Sequence, residues 1–162
     1  MKTVIVVIGI IIMILVLASI YILKKIFHPL EMFAYFMVGT IFTQQIYTVI
    51  TINMHLVKAS NEIFSILPTK VVGMVVYPIS GMWTIAALYS KRINIFWKIV
   101  IIILYFILHS MDHIIRLKLG YIKDIHWSLF PQDVLKNVFI LLGTFLFSLF
   151  FRKLLRERKI IS

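Results

Sequence analysis

Five long apolar stretches divide the chain, and the segments between and after them carry most of its charged residues. The stretches cover Thr3 to Leu23, Leu30 to Met54, Val71 to Ser90, Ile95 to Ile115 and Gln132 to Phe151. A helix of about 20 apolar residues crosses the hydrocarbon core of a bilayer, and a helix satisfies all of its own backbone polar groups there. The pattern predicts an all-α polytopic integral membrane bundle of about five transmembrane helices, in a single domain over residues 1–162.

The first stretch has a competing interpretation as a cleaved signal peptide, because Val16, Leu17 and Ala18 resemble a cleavage site of small residues. A span is favoured, since the uncharged stretch is long and its stronger charge, Lys24 and Lys25, follows it rather than precedes it.

The segment from His55 to Lys70 is too polar to cross a membrane. Its apolar residues lie largely opposite its polar ones on a helical projection, which predicts a short amphipathic helix in the interface that ends near Pro68. A longer third span with a proline kink is the alternative. Within the third span, Gly73, Pro78 and Gly81 predict a kink or a close helix crossing.

Composition agrees with this membrane interpretation. The chain is 62% hydrophobic and 14% charged, and its mean hydropathy is +1.03, whereas soluble domains are about a quarter charged. It has no cysteine, which excludes disulfides, thiolate metal sites and thiol catalysis. The formal charge of +11 suits a bilayer with anionic headgroups, so no nucleic-acid partner is inferred.

The distribution of Lys and Arg predicts the orientation. With the N-terminus outside, ten of the 17 basic residues fall on the inner side, namely Lys24, Lys25, Lys91, Arg92, Lys98, Arg152, Lys153, Arg156, Arg158 and Lys159. The other seven are Lys2, Lys58, Lys70, Arg116, Lys118, Lys123 and Lys136. Because cytoplasmic loops carry the excess of basic residues, we expect an N-out, C-in topology with a basic cytoplasmic tail at 152–162.

Most polar residues within the spans fall at one depth, toward the predicted outer side. His109, Asp112 and His113 share one face of the fourth span, because they lie at i, i+3 and i+4. The candidate polar cluster comprises His109, Asp112, His113, Gln44, Thr48, Thr51, His55 and Asp133. Gln44, Thr48, Thr51 and His55 belong, with Thr40, to a stripe along the second span.

Three interpretations of His109, Asp112 and His113 are open. They can form a structural network in which Asp112 pairs with Arg116, which we favour. They can handle protons or ions, as intramembrane ionisable groups often do. They can bind a catalytic metal with His55 or His126 as a further ligand, although Ser110 stands where a zincin motif requires Glu. No catalytic or cofactor-binding residue is assigned, no cofactor is expected, and the metal question stays open.

The tail is predicted to lie on anionic lipid through Arg152, Lys153, Arg156, Arg158 and Lys159. A partner-binding role for these residues is the alternative.

The size, the layout, the pair Tyr77 and Pro78, and the stretch from Asp112 to Ser128 carry a resemblance. The stretch contains Leu117, Lys118, Leu119, Gly120, Tyr121 and Ile122, then Trp127 and Ser128 before the last helix. In these features the chain resembles an uncharacterised family of small five-span integral membrane proteins of spore-forming Firmicutes. Members tend to have a Trp-rich segment before the last span, where this chain has a single Trp preceded by His126. The resemblance implies a bacterial plasma membrane and supplies no activity.

Three functions are therefore weighed. A non-enzymatic membrane subunit, sensor or accessory factor, which acts through a protein partner or a homo-oligomer, is favoured. A transporter or ion-pathway component is the first alternative, although the inner halves of the first and fifth spans carry few polar residues. A metal-dependent membrane hydrolase is the second.

Overall fold

Four helices in the described part of the chain are long and apolar enough to cross a membrane, which indicates a multi-pass membrane protein. A computed structural model describes residues 14–15, 18–59, 70–126 and 129–161, and within them these helices span Pro29–Asn53, Val72–Tyr89, Ile95–Lys118 and Pro131–Glu157. They correspond to the second to fifth predicted spans. Most of the first predicted span, Thr3 to Leu23, lies outside the described residues, although residues 18–23 are helical.

Regular α-helix and wider π-helical turns share these spans. The α-helices are α1 (Pro29–Thr48), α2 (Tyr77–Tyr89), α3 (Ile95–Lys118) and α4 (Val134–Glu157). The π-helical turns cover Val49–Asn53, Val72–Val76 and Leu129–Asp133, so one ends the α1 span and two begin the α2 and α4 spans. All three turns lie at the same end of the bundle, and π-helical turns are frequent at functional sites.

Local sequence sets the start of α1 and of α3. The His28 side chain accepts a hydrogen bond from the backbone of Leu30, Pro29 begins the helix, and a Glu31 carboxylate oxygen accepts from the His28 backbone N–H at 3.0 Å. This arrangement is a capping box, which satisfies donors that a helix start leaves unpaired. Asn94 caps α3 by accepting from the Trp97 N–H at 3.0 Å.

A glycine in the left-handed conformation ends α3 and starts a short strand. Gly120 has φ of 71°, and the Tyr121 N–H donates to the Arg116 carbonyl at 2.9 Å, as in a Schellman motif. The chain then forms β2 (Ile122–Asp124), which pairs antiparallel with β1 (Val57–Ala59).

The two strands correct the sequence prediction in part. The prediction placed residues 57–59 in the polar segment from His55 to Lys70. These residues are extended rather than helical, and they pair with β2. The amphipathic part of that segment, from Asn61 to Leu67, lies outside the described residues. A mainly helical bundle therefore carries a two-stranded pairing that hydropathy did not reveal.

Helix α1 packs antiparallel against both α2 and α4. A Cβ atom on Gly39 would lie 3.3 Å from Pro78 Cβ, and one on Gly73 would lie 3.3 Å from Gln44 Nε2, so both glycines allow close approach of α1 and the α2 span. The predicted close crossing is confirmed at Gly73 and Pro78. No close crossing is seen at Gly81, where a Cβ would meet no atom of the described residues within 4 Å.

The antiparallel packing gives the bundle two distinct ends. The end that carries β1 and β2 holds the last turn of α3 and the starts of the α2 and α4 spans. It is called the hairpin end for the antiparallel pair of strands, although β1 and β2 are not consecutive in the chain. The other end, called the basic end, holds the start of α1 and the end of α4. The buried core includes Leu23, Phe27, Tyr35, Ile79 and Met82, so residues before α1 pack on α1 and α2 near the basic end.

Candidate functional site

The buried face of α3 is polar, although the helix as a whole is strongly apolar. Its buried residues are Tyr105, His109, His113 and Arg116, and each has a polar group. Large apolar residues cover the opposite face, among them Ile103, Leu104, Ile107, Leu108, Met111 and Ile115. At the hairpin end α3 therefore attaches to the bundle through polar side chains and presents its apolar side outward.

Asp112 and Arg116 form the first part of the site. Arg116 makes an i,i+4 ion pair with Asp112 Oδ2, as the sequence analysis expected, and the Tyr77 hydroxyl of α2 donates to the same oxygen at 2.6 Å. The Arg116 guanidinium carbon lies 5.6 Å from the centre of the Tyr47 ring and 5.7 Å from that of Tyr77, within the range of a cation–π interaction. This group thus joins α1, α2 and α3.

Asp133 organises the second part, at the start of α4. Its side chain is fully buried and forms a salt bridge with Lys136. Its Oδ2 accepts from Ser110 Oγ at 3.1 Å and from Asn137 Nδ2 at 3.3 Å. Because Ser110 belongs to α3, this carboxylate fastens α3 to α4. Lys136 also lies 5.4 Å from the centre of the Tyr47 ring of α1.

His113 lies between two carboxylates that approach its ring from different sides. Its Nε2 is 3.2 Å from Asp124 Oδ2 of β2, and its Nδ1 is 4.0 Å from Asp133 Oδ1. Two acids at opposite ring nitrogens do not converge on one ion. No group of three His, Cys, Asp or Glu side chains in the described part of the chain is arranged to hold a metal.

His109 lies deeper in the bundle and is fully buried. Ser80 Oγ donates to the Tyr77 carbonyl at 2.8 Å and lies 2.9 Å from His109 Nε2, so Nε2–H is the donor in that pair. The imidazole lies between Tyr77 and Tyr105, with ring centres 3.8 and 4.1 Å away. His109 Nδ1 and the Tyr105 hydroxyl have no hydrogen-bond partner among the described residues.

The predicted stripe on the second span does not join these groups. Gln44 accepts from Lys70 at 3.1 Å. Thr48 and Thr51 donate to carbonyls of their own helix, and His55 is exposed in a positive-φ turn. The structure thus brings His109, Asp112, His113 and Asp133 together and leaves the four stripe residues at the margin. The interacting set Asp112, His113, Arg116, Asp124, Asp133 and Lys136 is called the ionisable cluster below.

Sequence reasoning missed several residues of this site. Asn137 lies at i+4 from Asp133 on the same helix, so spacing alone could have identified it. Tyr47 and Tyr77 lie in apolar stretches, and no residue near them in the sequence indicates that they contact Asp112 and Arg116. Asp124 contacts His113 from β2, which follows the turn that ends α3, and no local pattern around Asp124 predicts that contact.

A second buried polar network lies at the basic end, and the sequence analysis did not predict it. The Glu31 carboxylate, 2% exposed, accepts from the Tyr35 hydroxyl at 3.2 Å and lies 3.1 Å from Arg152 Nε. The Arg152 guanidinium also lies 4.5 Å from the centre of the Tyr89 ring, and the Tyr89 hydroxyl is 2.7 Å from Ser148 Oγ. This network ties α4 to α1 and α2.

The second network changes the interpretation of the basic tail. Helix α4 continues to Glu157, and the Arg152 side chain is only 24% exposed and paired with Glu31. Arg152 is therefore part of the bundle rather than of a free tail. Lys153, Arg156, Arg158 and Lys159 are exposed.

No protein-family model, curated protein or solved structure matches this chain significantly.

Proposed function

We propose that the chain is a non-enzymatic subunit, sensor or accessory factor of a bacterial plasma membrane, and that its ionisable cluster is a structural lock rather than a reaction centre. The observation that carries this proposal is that the carboxylates of Asp133 and Asp112 are each paired with other side chains of the protein. Asp133 accepts from donors on α3 and α4, and Asp112 accepts from Tyr77 of α2 and forms an ion pair with Arg116 of α3.

The pairing matters because a group that performs chemistry must be available to a substrate. Asp112 accepts a hydrogen bond from Tyr77 and forms an ion pair with Arg116. Asp133 accepts hydrogen bonds from Ser110 and Asn137 and forms a salt bridge with Lys136. Buried charges are costly unless they are paired and hydrogen-bonded. The Asp133 carboxylate receives that compensation, whereas Arg116 is paired with Asp112 but its guanidinium nitrogens have no hydrogen-bond partner among the described residues. The contacts of the two carboxylates also join α3 to its neighbours.

The lock compensates for a weakness of helix packing in lipid. Apolar contact gives little net attraction between membrane helices, because lipid tails are as apolar as the side chains. Only 11% of the apolar window of the α3 span is buried, against 56% for the α2 span. We propose that polar contacts hold this peripheral helix, which leaves its apolar side for lipid, a protein partner or a second copy.

We further propose that the hairpin end faces outward and the basic end faces the cytoplasm. The inner set of basic residues from the charge count falls at or beyond the basic end, at the turn before α1, the turn before α3 and the last turns of α4. The described outer set falls at the hairpin end. Charge asymmetry between two ends is the feature on which the positive-inside rule depends.

A double-mutant cycle tests the lock. Asp112→Asn leaves the buried Arg116 without its ion-pair partner, and Arg116→Gln leaves the half-buried Asp112 without its own, so each should lower the stability of the purified protein in detergent. The double variant should be less destabilised than the sum of the two. Thr48→Val, which removes an exposed hydroxyl bonded to its own helix, is the matched control. Additive losses would remove the support for the lock.

A partner search tests the accessory role. A photo-crosslinking residue at the exposed Ile107 on α3 should give a discrete adduct in native membranes, whereas one at the buried Ile85 should not. Catalytic turnover or solute flux by the purified chain alone would contradict a non-enzymatic accessory function.

An ion-pathway component is the second candidate, and the network at the basic end favours it. Glu31, Ser148 and Arg152 are polar groups on α1 and α4 at that end, where few were expected. Between the two networks, the buried hydroxyls of Thr43, Thr84 and Thr144 donate to carbonyls of their own helices. Proton flux into proteoliposomes that is lost in Glu31→Gln would favour this candidate over the accessory role.

A further inference from the structure

Two cavities adjoin at the basic end, and they differ in chemistry. The first, about 250 Å³, is lined by Tyr89, Leu149, Arg152, Lys153 and Arg156. The second, about 450 Å³, is lined mainly by apolar side chains, among them Ile26, Trp83, Ala86, Ala87, Ile93 and Ile101. Tyr89 and Arg152 line both cavities, so a cationic pocket opens beside an apolar groove.

Among the described residues, the cationic pocket carries more positive than negative charge. In the described part of the chain, Arg152 contacts Glu31 through Nε alone, so its two terminal nitrogens have no protein acceptor. Arg156 has no acidic partner within the same described ranges. Lys153 has only a long, exposed contact of 3.9 Å with Glu157.

The pocket is built rather than incidental. The Glu31 carboxylate is buried and holds Arg152 at 3.1 Å, and the Tyr89 ring lies 4.5 Å from the guanidinium carbon. Tyr89 is itself held by Ser148 at 2.7 Å. Arg152 is thereby fixed before any ligand arrives, which reduces the entropy that binding must overcome.

The depth of the pocket matches that of a lipid headgroup. The span Pro131–Glu157 is centred near residue 144, so at a rise of about 1.5 Å per residue Arg152 lies about 12 Å and Arg156 about 18 Å from the centre. The hydrocarbon half-thickness is about 15 Å. Arg152 therefore lies just inside the edge of the hydrocarbon and Arg156 lies in the headgroup layer, which extends to about 20–22 Å from the centre, while the apolar groove extends into the hydrocarbon.

We propose that these two cavities form a binding site for one anionic phospholipid. The phosphate contacts Arg152, Arg156 and Lys153, and one acyl chain occupies the groove beside Trp83 and Ala87. Charge complementarity identifies the headgroup as anionic, and the adjoining groove identifies a lipid rather than free phosphate. A second copy of the chain is a poorer occupant, because a symmetric contact would place two uncompensated cationic pockets together. The proposal does not depend on the function of the ionisable cluster.

Native mass spectrometry of the detergent-solubilised full chain tests the headgroup contact, with phosphatidylglycerol and phosphatidylcholine of identical acyl chains as probes. Wild type should retain one phosphatidylglycerol in preference to phosphatidylcholine. Arg156→Gln should weaken retention about fivefold, the effect of about one basic residue near an anionic lipid surface. Arg158→Gln removes the same charge outside the pocket and should have little effect. Equal losses in the two variants would indicate diffuse surface attraction and overturn the site.

The acyl contact has its own test. Phosphatidylglycerol with long chains should bind wild type more tightly than a short-chain analogue, and millimolar inorganic phosphate should not displace it. Ala87→Leu should reduce retention by filling the groove, whereas Ala18→Leu on an exposed position should not. The comparison of acyl-chain lengths uses wild type alone, so it tests the acyl contact even if Ala87→Leu fails to fold. Displacement by phosphate, equal binding of the two headgroups, or a lipid-free dimer would each overturn the proposal.

Discussion

The Tyr77 hydroxyl donates a hydrogen bond of 2.6 Å to Asp112 Oδ2, and this contact joins two membrane helices through a carboxylate that also pairs with Arg116. Tyr77 is 1% exposed, so its hydroxyl is shielded from bulk water. The contact explains why an ionisable residue in the fourth predicted span is compatible with a stable bundle.

Removal of this hydroxyl should destabilise the bundle. We expect Tyr77→Phe to lower the free energy of unfolding by about 1–2 kcal/mol, because hydrogen bonds to charged groups contribute more than neutral ones. The measurement is unfolding of the purified protein in mixed micelles. Tyr21→Phe, at a position 67% exposed, should be neutral, and an equal effect of the two would contradict the role given to the contact.

The buried acid at the basic end should matter more than an exposed one. Glu31→Ala removes the capping box, the acceptor for Tyr35 and the partner of Arg152. We expect a loss of about 2–4 kcal/mol, since breaking a buried ion pair leaves an uncompensated charge. Glu157→Ala, whose contact with Lys153 is exposed, should change stability little. A mild phenotype for Glu31→Ala would show that the network at the basic end is dispensable.

Two glycine substitutions should have opposite signs. At Gly39 a new Cβ would lie 3.3 Å from Pro78 Cβ, whereas at Gly81 it would meet no atom of the described part of the chain within 4 Å. We expect Gly39→Ala to cost about 1–3 kcal/mol through overpacking and Gly81→Ala to stabilise by about 0.5–1 kcal/mol through helix propensity. Thermal denaturation of both variants checks this, and stabilisation by Gly39→Ala would show that the two helices are not tightly packed there.

His109 distinguishes a packing role from metal binding. If Nε2–H only donates to Ser80, His109→Gln should leave stability nearly intact, because the amide can donate a similar bond. His109→Leu should cost about 1 kcal/mol, the usual size of an intramembrane hydrogen bond. Metal analysis of wild type and His109→Gln is the second measurement. Stoichiometric zinc in wild type that disappears in His109→Gln would contradict the packing role.

The absence of cysteine from the sequence allows a direct test of orientation. Single cysteines at Lys123, in β2 at the hairpin end, and at Ser162, at the chain terminus, should react differently with an impermeant maleimide in intact cells. We expect labelling at Lys123→Cys alone. Labelling of Ser162→Cys in intact cells would show that the orientation is opposite to the proposed one. Permeabilised cells provide the control for the reactivity of each cysteine.

Much of this organisation is readable along the chain, because its determinants are local. The apolar length of each stretch gave the bounds of four spans within a few residues, apart from α4, which runs on to Glu157. The spacing of Asp112 and Arg116 predicted their ion pair, because residues four apart on a helix are neighbours. The spacing of Asp133, Lys136 and Asn137 contains the same information.

The tertiary structure alone decided which helix faces meet. Glu31 and Arg152 lie far apart in sequence, as do Tyr77 and Asp112, and no local pattern links either pair. Asp124 contacts His113 from β2, a strand that pairs with β1 of a distant part of the sequence. In a soluble protein the apolar face of a helix identifies its buried side, but lipid and protein interior are equally apolar. Hydropathy therefore determined that these helices cross a membrane, and only packing determined which polar groups they bring together.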